Sequence, residues 1–550
     1  MKELYFLVPP ELGARGQLIA NLTRFPEWSG TASATPFWGL GYDDRDGART
    51  KLMVKANQRI IVVGAGIGGL TSAALLAKRG YEVIVYDLAI VAGGCASTFK
   101  RRGFTFDVGA TQLAGLEAGG IHDRIFRELD IDIPEATYCD PACAVFLPNE
   151  KEPINVWRDR EQWKLERQRQ FPNSEPFWQF LEDLFWRSWR FQGRDPILPP
   201  RNPWDLWQLI KALRIDTLAT VPYTFSTVGD ALRGFGLADD RRLRTFLDLQ
   251  LKLYSQVNAE ETALLYAATA LAVSQSPLGL FHLKGSMQVL SDRLVASIER
   301  DRGKVLMQHQ VTEIQKSAIT DKVRVKVTNL RSQETWWDEA DHIVANVTVN
   351  NFVQLLGDQI PQGYAHRVKN LKPASVAFVV YLGVDRAAIP ENCPPHLQFL
   401  EAYSERNPRS LFVSVSKEGD GRAPAGKATI IASEFTDAEV WYSGEDYQLL
   451  KQRFTERAIA QLSEYFHLNE QTMIHIDAAT PQTFARYTGR DHGIVGGVGM
   501  RVSTFGPFGF ANRTPIKNIW LVGDSTHPGE GTAGVSYSAL TVVRQITNGT

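Results

Sequence analysis

Along residues 59–87 the apolar positions change their period twice. Ile60 to Val63 is a continuous β-branched run, the pattern of a buried parallel strand. A helix follows, with Ala73 and Leu76 on its inner face, and Gly80 ends it. Val83 and Val85 then alternate along a second strand that stops at Asp87. Far downstream, SVAFVVYLGV and ATIIASEF alternate and predict strands of another sheet, while residues 160–275 predict helices. Ile519 to Val522 predicts one more short strand, with apolar residues at helical spacing from near Gly534. The succession predicts an α/β protein whose first sheet is parallel.

The turn between the first strand and helix carries chemistry. Gly64, Gly66 and Gly69 form G-x-G-x-x-G, with Ala65 and Gly68 between them. Gly64 suits a tight turn, Gly66 admits the backbone of a pyrophosphate, and Gly69 allows close helix-on-strand packing. The phosphates then rest on the positive end of the helix. Asp87, 21 residues after Gly66, is placed to accept hydrogen bonds from ribose hydroxyls. Strand, helix, second strand and terminal acid stand in register, which a chance glycine triplet lacks.

Two features select FAD over NAD. Gly93 and Gly94 follow Asp87, a second glycine pair that extends the adenosine site. GDSTHPGEGTAG, Gly523 to Gly534, resembles the strand, Gly-Asp turn and helix start that return to the cofactor in two-dinucleotide-binding-type (Rossmann-like) flavoproteins, a likeness that implies Asp524 near the ribityl chain. The same loop holds Ser525 and His527, nominally a nucleophile and a base. A hydrolase triad gathers residues from distant parts of a chain, and near neighbours need not converge. His527 has no paired ligand at metal-binding spacing, so no metal is expected. His527 and Glu530 remain as candidate substrate-side groups, and no catalytic residue is assigned.

Composition narrows the partners. The chain of 550 residues has a net charge of -1, 22% charged and 44% hydrophobic residues, without the basic field of a nucleic-acid binder. Its four cysteines are too few for a disulfide framework and fit a reducing compartment. Cys139 and Cys143 read as packing residues. Residues 1–56 are rich in Gly, Pro and Trp without sustained periodicity, and read as a disordered extension or a start assigned too far upstream of Met53.

From Arg59 to the C-terminus the chain resembles the carotenoid desaturase and isomerase family of FAD proteins. The resemblance rests on the closing GDSTHPGEGTAG, on ATPQTFARYTGRDHGIVGG, and on FHLKGSMQVLSDRLVASIERDRGKV followed by QVTEI. GCASTFKRRGFTFDVGATQ and FGPFGFANRTPIKNIWLVGDSTHPGEG are most similar to cyanobacterial carotenoid C-3',4' desaturases. Cys95 departs from the Arg that many bacterial phytoene desaturases carry there.

The resemblance implies a discontinuous FAD domain of residues 57–150, 280–350 and 470–550, with Val311 also touching the cofactor. Residues 151–279 and 351–469 would form a mixed sheet-plus-helix substrate domain. The implied reaction is desaturation of an apolar polyene, with cis-trans isomerisation by reduced FAD, or an amine-oxidase-like reaction, as alternatives; the electron acceptor stays open. Such a substrate implies peripheral membrane contact on the cytoplasmic side. Phe177 to Leu213 suits that contact, with Trp178, Trp186, Trp189, Trp204 and Trp207 among interleaved arginines, and NPWDLWQLIKALRI predicts an amphipathic helix beginning near Pro203.

Overall fold

The computed structural model describes residues 58–549 except 318, 374 and 404–408; the N-terminal extension lies outside the described residues. Five parallel strands form the first sheet, in the order Lys304–Met307, Glu82–Asp87, Arg59–Val63, His342–Ala345 and Ile519–Leu521. In register, Val62 lies between Val85 and Val344. These strands come from three distant parts of the chain, as a discontinuous Rossmann-like domain requires.

The two faces of this sheet are covered differently. On one face pack the helices Ile67–Lys78, Gln288–Arg300 and Thr532–Asn548, through Leu70, Ala73, Leu290, Leu294, Val542 and Val543. The first of these helices is buried all round, up to Ala77, rather than only along the Ala73 and Leu76 face. Its small residues let the other two helices close on it from both sides. On the opposite face lies an antiparallel meander, His309–Lys316, Val323–Asn329 and Thr335–Ala340, whose Ile314 and Val325 join Ile61 and Val63 in one core.

A seven-stranded sheet forms the second layer system. Its order is Met473–Ala479, Val376–Asp385, Lys427–Thr436, Ser410–Val415, His396–Leu400, Cys143–Phe146 and Ile154–Val156. The runs SVAFVVYLGV and ATIIASEF are the antiparallel pair at its heart. Cys143–Phe146 and Met473–Ala479, inside ranges foreseen for the FAD domain, pair in this sheet instead. Their buried residues, Val145 and Ala478 among them, face cores away from the parallel sheet.

Residues 160–275 are helical as expected, with Arg160–Gln170, Glu175–Gln192, Pro203–Ala212, Arg241–Ser255 and Leu264–Ala272 the longest. Trp163, Trp178, Phe177 and Phe246 form their aromatic core, with Cys139 and Cys143 buried in it as free thiols. The tryptophan-rich stretch therefore divides. Trp178 is buried and Trp186 and Trp189 pack half-buried against the core, whereas Trp207 is 54% exposed. Among the described residues no helix is long and apolar enough to cross a membrane.

A buried ionic cluster joins the two systems. The Arg422 guanidinium donates to Asp107 at 3.1 Å and to Asp420 at 3.2 Å, and all three side chains are almost wholly buried. Asp107 also accepts from the Met287 N–H at 2.8 Å, and Asp420 bonds the His282 ring at 2.8 Å. Each carboxylate thus has a cation and a further donor, as burial demands.

Candidate functional site

A single cavity of ≈ 2170 Å³ runs from the carboxyl ends of the parallel strands into the helical region. That is well above the roughly 300–1,000 Å³ of ordinary ligand pockets. Three backbone turns converge at its inner end. Gly64 turns with φ +101°, and a Cβ there would stand 2.6 Å from the Asn346 carbonyl oxygen. A Cβ at Gly69 would be driven onto the Gly64 carbonyl oxygen, which is why helix and strand approach so closely only with glycine there. The Gly93 N–H donates to the Ala65 carbonyl at 2.8 Å, and Gly94 packs its backbone against Gly66. Gly68 faces Gly523 and the Val535 carbonyl across the third turn.

These turns leave two helix ends open. Neither Gly66, which caps Ile67–Lys78, nor Gly531, which caps Thr532–Asn548, supplies a side-chain capping bond. Buried helix starts need partners for their free N–H groups, and anions are the natural ones. A pyrophosphate fits the first and an electron-rich ring the second. The second helix begins at Thr532, two residues before the expected Gly534; Gly534 lies in its first turn, against the Gly529 carbonyl. The pattern of apolar residues did not reach Thr532 because the opening turn is small and polar.

The carboxylates have partners that sequence could not reveal. One Asp87 oxygen accepts the Ala65 N–H at 2.6 Å and the other the Ala89 N–H at 2.7 Å. Burial raises this carboxyl while the two N–H donors pull it down. Each oxygen keeps a second lone pair for a ribose hydroxyl. Asp524 is paired with Arg490 at 2.6 Å. Arg490 further donates to the Ile494 carbonyl at 2.6 Å and to the Gly496 carbonyl, so it clamps the loop before the closing strand to the turn after it. Val311 lines the cavity beside Gln310 and Thr312, next to the strand irregularity at Thr312.

Asn346 and Arg490 had no place in the sequence reading. Asn346 follows the strand His342–Ala345, and its side chain is the wedge that Gly66, Gly68, Gly69 and Gly523 all abut. A residue just past the carboxyl end of a central parallel strand is where ligands bind in such sheets, and that rule marks Asn346. Arg490 lay within ARYTGRDHG, flagged for its glycines rather than its charge.

The other end of the cavity is apolar. Leu209, Leu213, Leu265, Phe505 and Phe508 line it, and Val221 and Phe225 stand at its rim. Toward the middle, His527 bonds Gln192 through Nε2 at 2.9 Å while its Nδ1 has no partner. Burial lowers this imidazole to about 4, so it stays neutral. Ser525 donates to Asp524 at 3.4 Å, and its Oγ also accepts the Val349 N–H at 3.1 Å. No serine–histidine bond forms, so the loop is not a nucleophile–base array. Among the described residues no three His, Cys, Asp or Glu side chains gather as metal ligands.

Residues 67–547 match the family described as Flavin containing amine oxidoreductase. The chloroplastic prolycopene isomerase 1 of an Oncidium hybrid cultivar is 26% identical over 88% of this chain and 83% of its own length. The 4,4'-diapophytoene desaturase (4,4'-diapolycopene-forming) of Methylomonas sp is 25% identical over 88% of this chain and 94% of its own. The resemblance to carotenoid desaturases and isomerases is thus met by relatives named for both activities. A triple mutant of putrescine oxidase shares the fold with a TM-score of 0.60, at 14% identity over 89% of this chain and 98% of its own. An oxidoreductase from Methanosarcina mazei does so at 0.57, with 18% identity over 88% and 100%.

Proposed function

Because this chain belongs to the flavin containing amine oxidoreductase family and is an FAD-dependent oxidoreductase, we propose that it desaturates a carotenoid, introducing a C-3',4' double bond at an acyclic end. The observation that carries this reading is the single cavity that joins the glycine turns to an apolar mouth. A long polyene offers little but length and apolar surface to recognise, and the walls answer with leucine, valine and phenylalanine. Gly64, Gly66, Gly69, Gly93 and Gly94 would hold the dinucleotide, Asp87 its ribose and Asp524 the ribityl chain. When bound, FAD supplies acceptance of a hydride. The chain's share is to align the polyene with the open helix end at Gly531 and to keep water out.

The reading extends to peripheral membrane contact, proposed on the cytoplasmic side, and the exposed residues beside the mouth support the contact. Leu206, Trp207, Ile210, Ile215, Leu218 and Phe225 are each 48–88% exposed along and just after the helix Pro203–Ala212. Lys211 sits over the Trp207 ring at 5.5 Å, and Arg214 adds a second exposed cation. An apolar stripe flanked by cations is what an interfacial helix presents to lipid headgroups. A polyene dissolved in the bilayer would then enter without crossing water.

Anaerobic addition of acyclic carotenoids to the FAD-loaded chain tests the reaction. Desaturation bleaches the flavin absorbance and yields a pigment lighter by two hydrogens, resolved by liquid chromatography and mass spectrometry. The prolycopene isomerases among the relatives favour a second reading, cis-trans isomerisation. Its product has unchanged mass and forms without an electron acceptor. A flavin that no carotenoid bleaches when oxidised, with pigment returned unchanged by both the oxidised and the anaerobically reduced chain, rules out both.

A further inference from the structure

Glu530 is the one carboxyl of the closing loop that the cofactor fit leaves unused. It lines the cavity immediately before Gly531, the cap of the helix Thr532–Asn548. Its Oε2 accepts from the Gln256 amide at 2.9 Å, while its Oε1 is buried without a partner. Space has been made for this pair. A Cβ at Gly496, which has φ +75°, would collide with Glu530 Oε2 and stand 2.7 Å from the Gln256 amide nitrogen. Gln256 is itself held in the left-handed region, with φ 65°, at the end of the helix Arg241–Ser255. An ion pair does not explain the arrangement, because the nearby Arg490 spends its bonds on Asp524 and the loop carbonyls.

We propose that Glu530 is the base of the reaction, its unpartnered oxygen taking the proton that desaturation releases from the polyene. This rests on the desaturase reading. In one turnover two C–H bonds on neighbouring carbons break and a C=C bond forms. One hydrogen leaves with its electron pair as hydride to the oxidised flavin, which is thereby reduced by two electrons. The other leaves as a proton to the Glu530 carboxylate, and its C–H electron pair becomes the new π bond. Atoms and charge balance with the flavin as the only oxidant.

The surroundings make this carboxylate basic. Burial raises it well above the ordinary carboxylate range, the Asp524 charge raises it further, and the Gln256 and Gly497 donors with Arg490 oppose. Tyr266, whose hydroxyl donates to the Tyr254 carbonyl, faces it as a neutral phenol. His527, whose Nδ1 is the other unpartnered atom on the loop, is held to about 4 and is the weaker base. The base form of Glu530 grows as pH rises through its raised value, so the proton-transfer rate climbs over that range.

The test is single-turnover flavin bleaching by carotenoid in liposomes, followed against pH in the FAD-loaded chain. Glu530→Gln should slow bleaching by roughly 10²–10⁴-fold and erase the rising limb, with flavin and pigment binding retained. Glu530→Asp should restore part of the rate with the limb displaced. Infrared spectra followed against pH give a readout free of turnover: a protonated-carboxyl band that fades as pH rises, deuterium-sensitive and absent from Glu530→Gln. A Glu530→Gln rate and limb equal to wild type would overturn the proposal, as would a rate that falls as pH rises. If wild type is never bleached, the desaturase reading falls; absence of the infrared band would separately remove Glu530 as a basic, protonatable group.

Discussion

The two ends of the cavity are built on opposite principles. At the inner end, shape is set by close-packed glycine backbone around one side chain: Gly64 against Gly69, Gly68 against Gly523, and the glycines against the Asn346 wedge. At the mouth, shape is set by side chains such as Leu213, Val221 and Phe225, the last two 48% and 66% exposed. A backbone site tolerates almost no substitution and binds one cofactor. A side-chain wall of exposed apolar groups tolerates many and is free to follow its substrate and its lipid. The contrast teaches that cofactor identity and substrate identity are held by different currencies of structure in one cavity.

The sharpest way to break the contrast is to cut the ionic cluster that joins the two sheet systems around the cavity. Arg422→Met strands Asp107 and Asp420 without a cation and should cost roughly 3–5 kcal/mol. Urea unfolding with flavin fluorescence and tryptophan emission as paired probes should show both ends lost together; separate transitions would mean they fold as independent units.

Acid should weaken the inner end next. His122 is buried beside the cavity wall and lowered from 6.5 to about 4 by desolvation. Its folded pKa lies below its unfolded value, so the unfolded chain takes up the proton first. Stability is therefore complete above about 6.5 and is lost as pH falls toward about 4, by roughly 3 kcal/mol. Denaturant midpoints between those values check it, and His122→Gln should flatten that part of the slope.

Gly69→Ala sharpens the comparison at one atom. The added methyl meets the Gly64 carbonyl and should cost about 1–3 kcal/mol, with flavin release measured by absorbance after gel filtration. The mouth should respond least in stability. Trp207→Glu with Ile210→Glu should move the melting transition by no more than about 0.5 kcal/mol in equivalent stability. The same pair should abolish sedimentation with carotenoid-bearing vesicles, and a variant that still sediments would remove this helix from the membrane contact.

Legibility followed the same divide. The parallel strands and the glycine turns were readable because each glycine answers a steric demand that repeats wherever a backbone meets a phosphate. Asn346 escaped because its role exists only once strands about 280 residues apart in sequence are paired, and Arg490 because its partner Asp524 lies 34 residues on, beyond the strand Ile519–Leu521. The bonds from the Ala65 and Ala89 N–H groups to Asp87 are local, and were invisible because sequence spacing reports a ligand more readily than a loop contact. Trp178, Trp186 and Trp189 looked like companions of Trp207 because composition counts indoles without their direction. The fold packs Trp178 on Phe177 and Phe246 and Trp186 and Trp189 on Phe185, and turns Trp207 outward.

The parallel sheet has a consequence for how the protein comes into being. Its edge strand Ile519–Leu521 pairs with His342–Ala345, and the helix Thr532–Asn548 lies on the helix Ile67–Lys78. A chain emerging from the ribosome thus carries its first glycine turn for most of its synthesis before the last turn arrives to complete the pocket. Pairings so distant in sequence close slowly. Flavin capture therefore waits until the helix Thr532–Asn548 has been made, and the nascent chain's apolar helix Ile67–Lys78 is the surface that a chaperone would have to shelter until then.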